Sequence, residues 1–411
     1  MTGTMPRPGE SVQSKRWRVP VHSRKGSCPS PERRGTVRRS NGQGLRPSSR
    51  SRAGTAGALR SPDSMPTDLG WQVGSRIRPA SSLAMITDLT RTIGLSHPIV
   101  QGGMAWVSGS RLASAVSAAG GLGVLGAATM DPQELRRHIH AVRQRTERPF
   151  AVNLPLILLR ADGADRVEEL AHVILAERPP VVITGAGSPA KWTSTFKEAG
   201  LLVGHVMPSA RLAQKSHAAG VDFVVAESNE AGGHVRPQGL ATLSLVPQVV
   251  DAVPIPVVAA GGITDGRGVA AALALGASAV QLGTRFVATQ ECEAHAAFKQ
   301  SLVAAGSEDA VLYGPEGKVS RGLATPAVQH MVELAREGAS AEELRAARGI
   351  DRARLGCVEG SVEEGILPSG SGVGLVRELP TVAGLMDELM ATARGQAEAL
   401  TERLGARTPI A

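Results

Sequence analysis

The stretch from Phe223 to Val287 contains FVVAESNEAGGHVRPQG (223–239), PIPVVAAGGITDG (254–266) and SAVQLGTRFV (278–287), separated by helix-like spans. These are three apolar, β-rich runs that each end in small or polar residues, spaced so that one helix fits between strands. That is the pattern of successive parallel βα units. The runs end in Gly232-Gly233-His234, Gly261-Gly262 and Gly283-Thr284. In a closed barrel of eight such units, the ends of the last strands commonly build a phosphate site from backbone amides. Glycine suits such a site because it lets the backbone approach an anion closely. The segment therefore predicts the last three strands of an α/β protein of the (β/α)8 TIM barrel class, carrying a phosphorylated cofactor and one imidazole.

Further runs of the same kind precede it. PIVQGG ends near Gly103 and is followed by a small-residue helix, Ser110–Ala119. LGVLGAA comes next, then an amphipathic helix over Asp131–Thr146 with Asp131 placed as its N-cap. PFAVNLPL carries Asn153, facing inward or upward. PPVVITGAG leads to a helix at Lys191–Glu198, and LLVGHVMP, with His205 near its end, leads to Ala210–Ala219. Near-continuous apolar strands suit a parallel sheet covered by helices. Eight units with glycines at the strand ends favour a closed barrel over a doubly wound open sheet. After Thr289 the pattern turns helical, over Ala294–Ala305, Ala327–Glu337 and Ala341–Arg348. A Gly/Ser loop, Ser369–Gly374, and a last helix, Thr381–Leu404, follow. The expected organisation is a basic low-complexity leader over 1–84, a barrel over 85–290, and a C-terminal helical region over 291–411 packing on the barrel.

The net charge of +8 is unevenly placed. Residues 1–84 carry 16 Lys and Arg against 4 Asp and Glu, which leaves 29 against 33 in the remainder. The high isoelectric point thus belongs to the leader, whose Arg-, Ser-, Pro- and Gly-rich composition predicts disorder. A transit peptide or a nucleic-acid-binding arm is the alternative reading. A nonfunctional extension ahead of Met85 is preferred, and nucleic acid is not an expected partner. The three cysteines, Cys28, Cys292 and Cys357, form no C-x-x-C pair, which argues against zinc and redox motifs and for a reducing cytoplasm. No apolar run is long enough to predict a transmembrane helix. No metal site is expected, and a homodimer is compatible with the sequence.

His234 follows two glycines at an expected strand end, where barrel enzymes place reacting groups. An imidazole there can serve as general acid or base; the alternative is a histidine that only bonds a loop carbonyl. His205 can also face the mouth, but nothing flanks it. Gly232, Gly233, Gly261, Gly262, Gly283 and Thr284 are turn residues taken singly and a phosphate cradle taken together. Gln281 presents an amide or fills the core. Asn153 and Glu227 are polar groups in apolar strands that need partners. Cofactor ring atoms, ribityl hydroxyls or neighbouring backbone would each serve. Neither a Rossmann fingerprint nor a Walker motif occurs. Cys292 lies past the last strand, away from the position a covalent cysteine mechanism would need.

At these residues the chain resembles the nitronate monooxygenase (2-nitropropane dioxygenase) family of FMN-dependent TIM barrels, which is related to the flavin-containing enoyl-ACP reductases. PIVQGGMAWV, AAGGLGVLGAA, ITGAGSP, EAGGH, PVVAAGGI, VQLGTRF and the tail segment EGSVEEGILPSGSGVGLV carry the resemblance, from about Thr87 to the last helix. It implies that Gly103 and Met104 pass close to the flavin and that Asn153 and Glu227 contact FMN. It also implies that Gly232, Gly262 and Gln281-Leu282-Gly283-Thr284 hold the ribityl and phosphate groups, and that His234 is the active-site histidine. Two departures bear on substrate choice: Val235-Arg236-Pro237 after the histidine, and Gly370-Ser371 in the tail. The resemblance implies oxidation of alkyl nitronates by molecular oxygen. An NAD(P)H-dependent enoyl-ACP reductase is the alternative, and a flavin-binding partner protein the non-enzymatic one.

Overall fold

A computed structural model describes residues 86–157, 166–349 and 351–405. The expectations for residues 1–84 lie outside the described residues. Eight parallel strands form one sheet: β1 (Ile99–Gln101), β2 (Gly123–Gly126), β3 (Phe150–Pro155), β4 (Val181–Gly185), β5 (Leu202–Met207), β6 (Phe223–Glu227), β8 (Val257–Ala260) and β9 (Ala279–Leu282). A second, three-stranded sheet contains β7 (Gly233–His234), β10 (Ala310–Tyr313) and β11 (Ser320–Leu323).

The intervening helices are α1 (Asp88–Ile93), α2 (Ser110–Ala118), α3 (Pro132–Arg145), α4 (Arg166–Glu177), α5 (Thr193–Glu198), α6 (Ala210–Ala218), α7 (Thr242–Ala252), α8 (Gly266–Ala274) and α9 (Thr284–Val287). As its sequence predicts, α3 starts at Asp131, whose carboxylate accepts the Glu134 N–H at 2.8 Å. α4 is a helix that the reading of the sequence did not identify.

The spatial order β1-β9-β8-β6-β5-β4-β3-β2 is that of a (β/α)8 TIM barrel whose ends meet between β1 and β2. That seam holds only an isolated bridge, Val100 to Leu122. The side chain of Gln101 completes it. Its Oε1 accepts Val124 N–H at 3.0 Å, and its Nε2 reaches Val124 O at 3.0 Å, Gly102 O at 2.6 Å and Ser108 Oγ at 2.9 Å. Gln101→Leu would leave both Val124 backbone groups buried without partners. The expected cost is about 3 kcal/mol, measurable as a lower urea midpoint at unchanged m-value.

Side chains of alternate strand residues face opposite sides. Val100, Val124, Ala151, Ile183, Val225 and Ala279 fill the barrel interior, joined by Leu89 and Ile93 of α1. Val152, Leu154, Val182, Val203 and Val224 pack outward against the helices.

The tail contains α10 (Ala296–Ala304), α11 (Pro326–Arg336), α12 (Ala341–Arg348), α13 (Arg352–Cys357) and α14 (Val382–Arg403). It is not purely helical as expected, because β10 and β11 form a hairpin between α10 and α11. Leu385, Met386, Leu389 and Met390 of α14 share one buried cluster with Leu112, Val116, Val269 and Phe286 of the barrel layer. A second correction concerns the last barrel strand. It ends at Leu282, and the Arg285-Phe286-Val287 run is helical.

Candidate active site

The C-terminal ends of the strands gather the polar residues. Asn153, Glu227 and Gln281 each stand two positions beyond an interior residue (Ala151, Val225 and Ala279), so they continue the interior rows to the mouth. The register pairs Glu227 with Ala260, and Ala260 with Gln281, which places a carboxyl and a carboxamide on either side of a small residue. Asn153 Nδ2 donates to Ile183 O at 3.3 Å. A Cβ on Gly103 would fall 2.3 Å from Asn153 Cβ, so the chain leaving β1 lies directly against this side chain. Met104 follows, and its sulfur lies 3.5 Å from where a Cβ on Gly283 would stand.

Burial pushes the Glu227 carboxyl up to about 7. The folded chain therefore holds this proton more tightly than the unfolded chain does, so stability falls as pH rises from the ordinary carboxylate range to about 7 and stays reduced above it. Glu227→Gln removes that penalty. It is expected to stabilise the ligand-free protein at pH 8 by on the order of 2 kcal/mol, and to do little at pH 5. Thermal melts at the two pH values check this; equal shifts at both would contradict it.

Glycines border these groups at the same strand ends. Gly261 and Gly262 have φ of 102° and 70°. A Cβ on Gly261 would stand 2.3 Å from Ser228 Oγ, so the β8 end is pressed onto the turn after β6. Across both runs a strap from the tail, Ser369–Gly372, which contains the Gly370-Ser371 departure expected to bear on substrate choice. Gly370 N donates to Thr284 Oγ1 at 2.9 Å, Ser371 N donates to Glu230 O at 3.0 Å, and Thr264 Oγ1 donates to Gly372 O at 3.2 Å. A Cβ on Gly232 would stand 2.7 Å from the carbonyl carbon of Ser369. Thr284 thus anchors the strap and keeps its hydroxyl proton to donate. The side chain of Leu282 is buried in the outer core, and its carbonyl accepts Gly102 N–H at 2.8 Å.

His234 is not at the end of β6, which stops at Glu227. It sits in β7, held antiparallel to β11. Non-local pairing puts it there, and no local pattern announces such pairing. Its side chain is exposed toward solvent, while the surrounding sheet, and then the Arg348 and Lys318 cations, hold its pKa below the usual imidazole value. A neutral imidazole beside two cations can accept a proton from a substrate that becomes an anion.

His205 does not face the mouth. It shares the outward side of β5 with Val203 and Met207, buried against the helical layer, with Nδ1 2.8 Å from Thr184 Oγ1. Burial lowers its pKa to about 4, so it stays neutral and structural. Cys292 and Cys357 are buried, with thiols pushed up to about 12 by burial. Neither is a ready nucleophile. Among the described residues, no cluster of three or more His, Cys, Asp or Glu could hold a metal, and no helix is long and apolar enough to cross a membrane.

Residues 87–392 match a family model described as nitronate monooxygenase. A Rhodococcus jostii protein named (3aS,4S,5R,7aS)-5-hydroxy-7a-methyl-1-oxo-octahydro-1H-indene-4-carboxyl-CoA dehydrogenase is 35% identical, over 76% of this chain and 97% of its own length. A probable nitronate monooxygenase of Staphylococcus aureus is 32% identical over 59% of this chain and 79% of its own. Among solved structures, FabK from Thermotoga maritima is 40% identical with a TM-score of 0.72, covering 78% of this chain and 99% of that one. The nitroalkane oxidase of Streptomyces ansochromogenes is 32% identical with a TM-score of 0.67, covering 76% and 99%.

Proposed function

The chain belongs to the nitronate monooxygenase family, and from that premise we propose that it is an FMN-dependent enzyme oxidising alkyl nitronates, such as propionate 3-nitronate, with molecular oxygen. It is an oxidoreductase, as its relatives are. The observation that carries the reading is His234 in β7, on a sheet that Arg321 ties to the turn after β6, with burial and then the Arg348 and Lys318 cations disfavouring its protonation.

The mouth residues fit FMN. The Glu227 carboxyl and Gln281 amide have no side-chain hydrogen bond among the described residues, and the adjoining strand ends have glycines where a Cβ would collide. Asn153, Glu227 and Gln281 would meet the ring system and ribityl chain. Amides of Gly232, Gly233, Gly261, Gly262 and Gly283, with the Thr284 hydroxyl, would hold the phosphate. When bound, FMN supplies the redox chemistry, taking electrons from the substrate and passing them to oxygen. The protein does the rest. Lys318 and Arg348 draw an anionic nitronate to the rim, and His234 orients it or takes the proton of a neutral nitroalkane. Glu227, with a pKa near neutrality, can donate a hydrogen bond from its protonated form.

A second reading, an NAD(P)H-dependent enoyl-thioester reductase, has one observation in its favour. A shallow, open and mostly apolar depression lined by Pro237, Leu312, Tyr313, Val319, Val332 and Arg336 lies beside the His234 arm and could take an acyl chain. The likeness to FabK and to the CoA-thioester dehydrogenase agrees with it. Anaerobic mixing of the FMN-loaded protein with a nitronate, NADH or NADPH separates the readings through the oxidised-flavin absorbance. Bleaching by the nitronate alone supports the first. Rapid bleaching by a nicotinamide nucleotide replaces it with the second.

A further inference from the structure

We propose that Tyr313 and Ser320 are positioning residues for His234, forming with it a row of phenol, hydroxyl and imidazole that fixes which ring nitrogen carries the proton. The proposal rests on the reading of His234 as the proton-handling group. In the three-stranded sheet Tyr313 stands opposite Ser320, and Ser320 stands opposite His234. Directly opposed residues of antiparallel strands put their side chains on the same face, with Cβ atoms about 4.5–5.5 Å apart. The three side chains therefore lie side by side across β10, β11 and β7. Tyr313 and Ser320 are 5% and 1% exposed, whereas His234 is open to solvent, so the row runs from the interior out to the rim.

The middle member is the telling one. Ser320 Oγ is buried and has no hydrogen-bond partner among the described residues, a state that native structures seldom leave uncompensated. Burial pushes the Tyr313 phenol up to about 12, against the opposing pull of the Arg348 cation and of the Ser320 hydroxyl beside it in the row. A serine hydroxyl can accept one hydrogen bond and donate another. In the assigned arrangement, small rotations of the three opposed side chains would let the inner ring N–H of His234 donate to Ser320 Oγ, and the Ser320 hydroxyl donate to the phenolic oxygen of Tyr313. The outer ring nitrogen is then left with its lone pair facing the substrate.

The opposite face of the sheet is fixed independently. Arg321 Nη2 donates to Asn229 O at 3.1 Å and Nη1 to Ala310 O at 3.3 Å, which ties β11 to the turn after β6. The charged groups that bear on the imidazole are Lys318, from the β10–β11 turn, and Arg348, from the end of α12. Both disfavour its protonation.

Tyr313 is the chain's sole tyrosine, so global incorporation of 3-fluorotyrosine labels it alone. The test is a fluorine NMR titration of the full-length protein through the histidine range. The Tyr313 resonance is expected to shift with a midpoint below the free-imidazole value of about 6.5. His234→Ala should abolish that shift, Ser320→Ala should abolish it with the fold intact by thermal melt, and Ser320→Thr should restore it. Ser320→Ala and Tyr313→Phe should each lower kcat on a nitronate about tenfold with KM little changed, and Ser320→Thr should recover it. A Tyr313 signal indifferent to His234, or a Ser320→Ala protein with the same midpoint and kcat, overturns the proposal. If the coupling is present but nitronates are not turned over, the functional reading fails and the row stands.

Discussion

His234→Ala is expected to lower turnover of a neutral nitroalkane by roughly 10²–10⁴-fold while FMN stays bound, the range that a positioned general base commonly contributes. The imidazole belongs to β7 and the tail hairpin, whereas the glycine wall and the polar row belong to the barrel strands. Removing it should therefore leave the flavin absorbance and melting temperature nearly unchanged. The pre-formed nitronate needs no deprotonation, so its loss should be smaller, limited to orientation. Equal losses for the two substrates would show that His234 positions the substrate and does not act as a base. No loss for either would remove it from the mechanism.

Gly261→Val is expected to yield a folded but colourless protein. At φ of 102° a β-branched residue is strained, and its Cβ would stand 2.3 Å from Ser228 Oγ and 3.0 Å from Ala231 N. Strain of about 1–2 kcal/mol and a comparable overlap cost together displace the turn that would carry phosphate amides. A total of about 3 kcal/mol corresponds to roughly a hundredfold weaker FMN binding, readable by flavin fluorescence titration. Gly395→Ala is the control, because a Cβ at this α14 position meets nothing within 4 Å. FMN affinity should be untouched there and stability raised by about 0.5–1 kcal/mol. Unchanged FMN affinity in Gly261→Val would remove the β8 end from the cradle.

The barrel was legible because parallel strands and their caps are local signals: apolar runs, glycine ends, and Asp131 one residue ahead of Pro132. Features set by distant contacts were harder to read. His234 looked like a strand end because Gly232 and Gly233 precede it, but it pairs with Ser320, which no window around it contains. His205 sits in a run apolar on both sides, so the pattern could not say which way it turns; the register with Thr184 on the outer face decides it. The hairpin did leave a mark that went unread, the turn residues Gly314-Pro315-Glu316-Gly317 between two short runs. The tail's Ser369–Gly372 was legible as a loop, whereas its place across three strand ends is a matter of tertiary packing.

That strap also orders events in time. The last barrel strand is complete at Leu282, yet the bonds from Gly370 and Ser371 to Thr284 and Glu230 await chain roughly ninety residues later. At synthesis rates of about 5–20 residues per second, the nascent protein spends about 4–18 s with eight strands made and its ligand wall still open. Capture of FMN by the proposed cradle is then a late, near-terminal step of biogenesis, and chains arrested between residues 282 and 369 are expected to be unable to retain flavin.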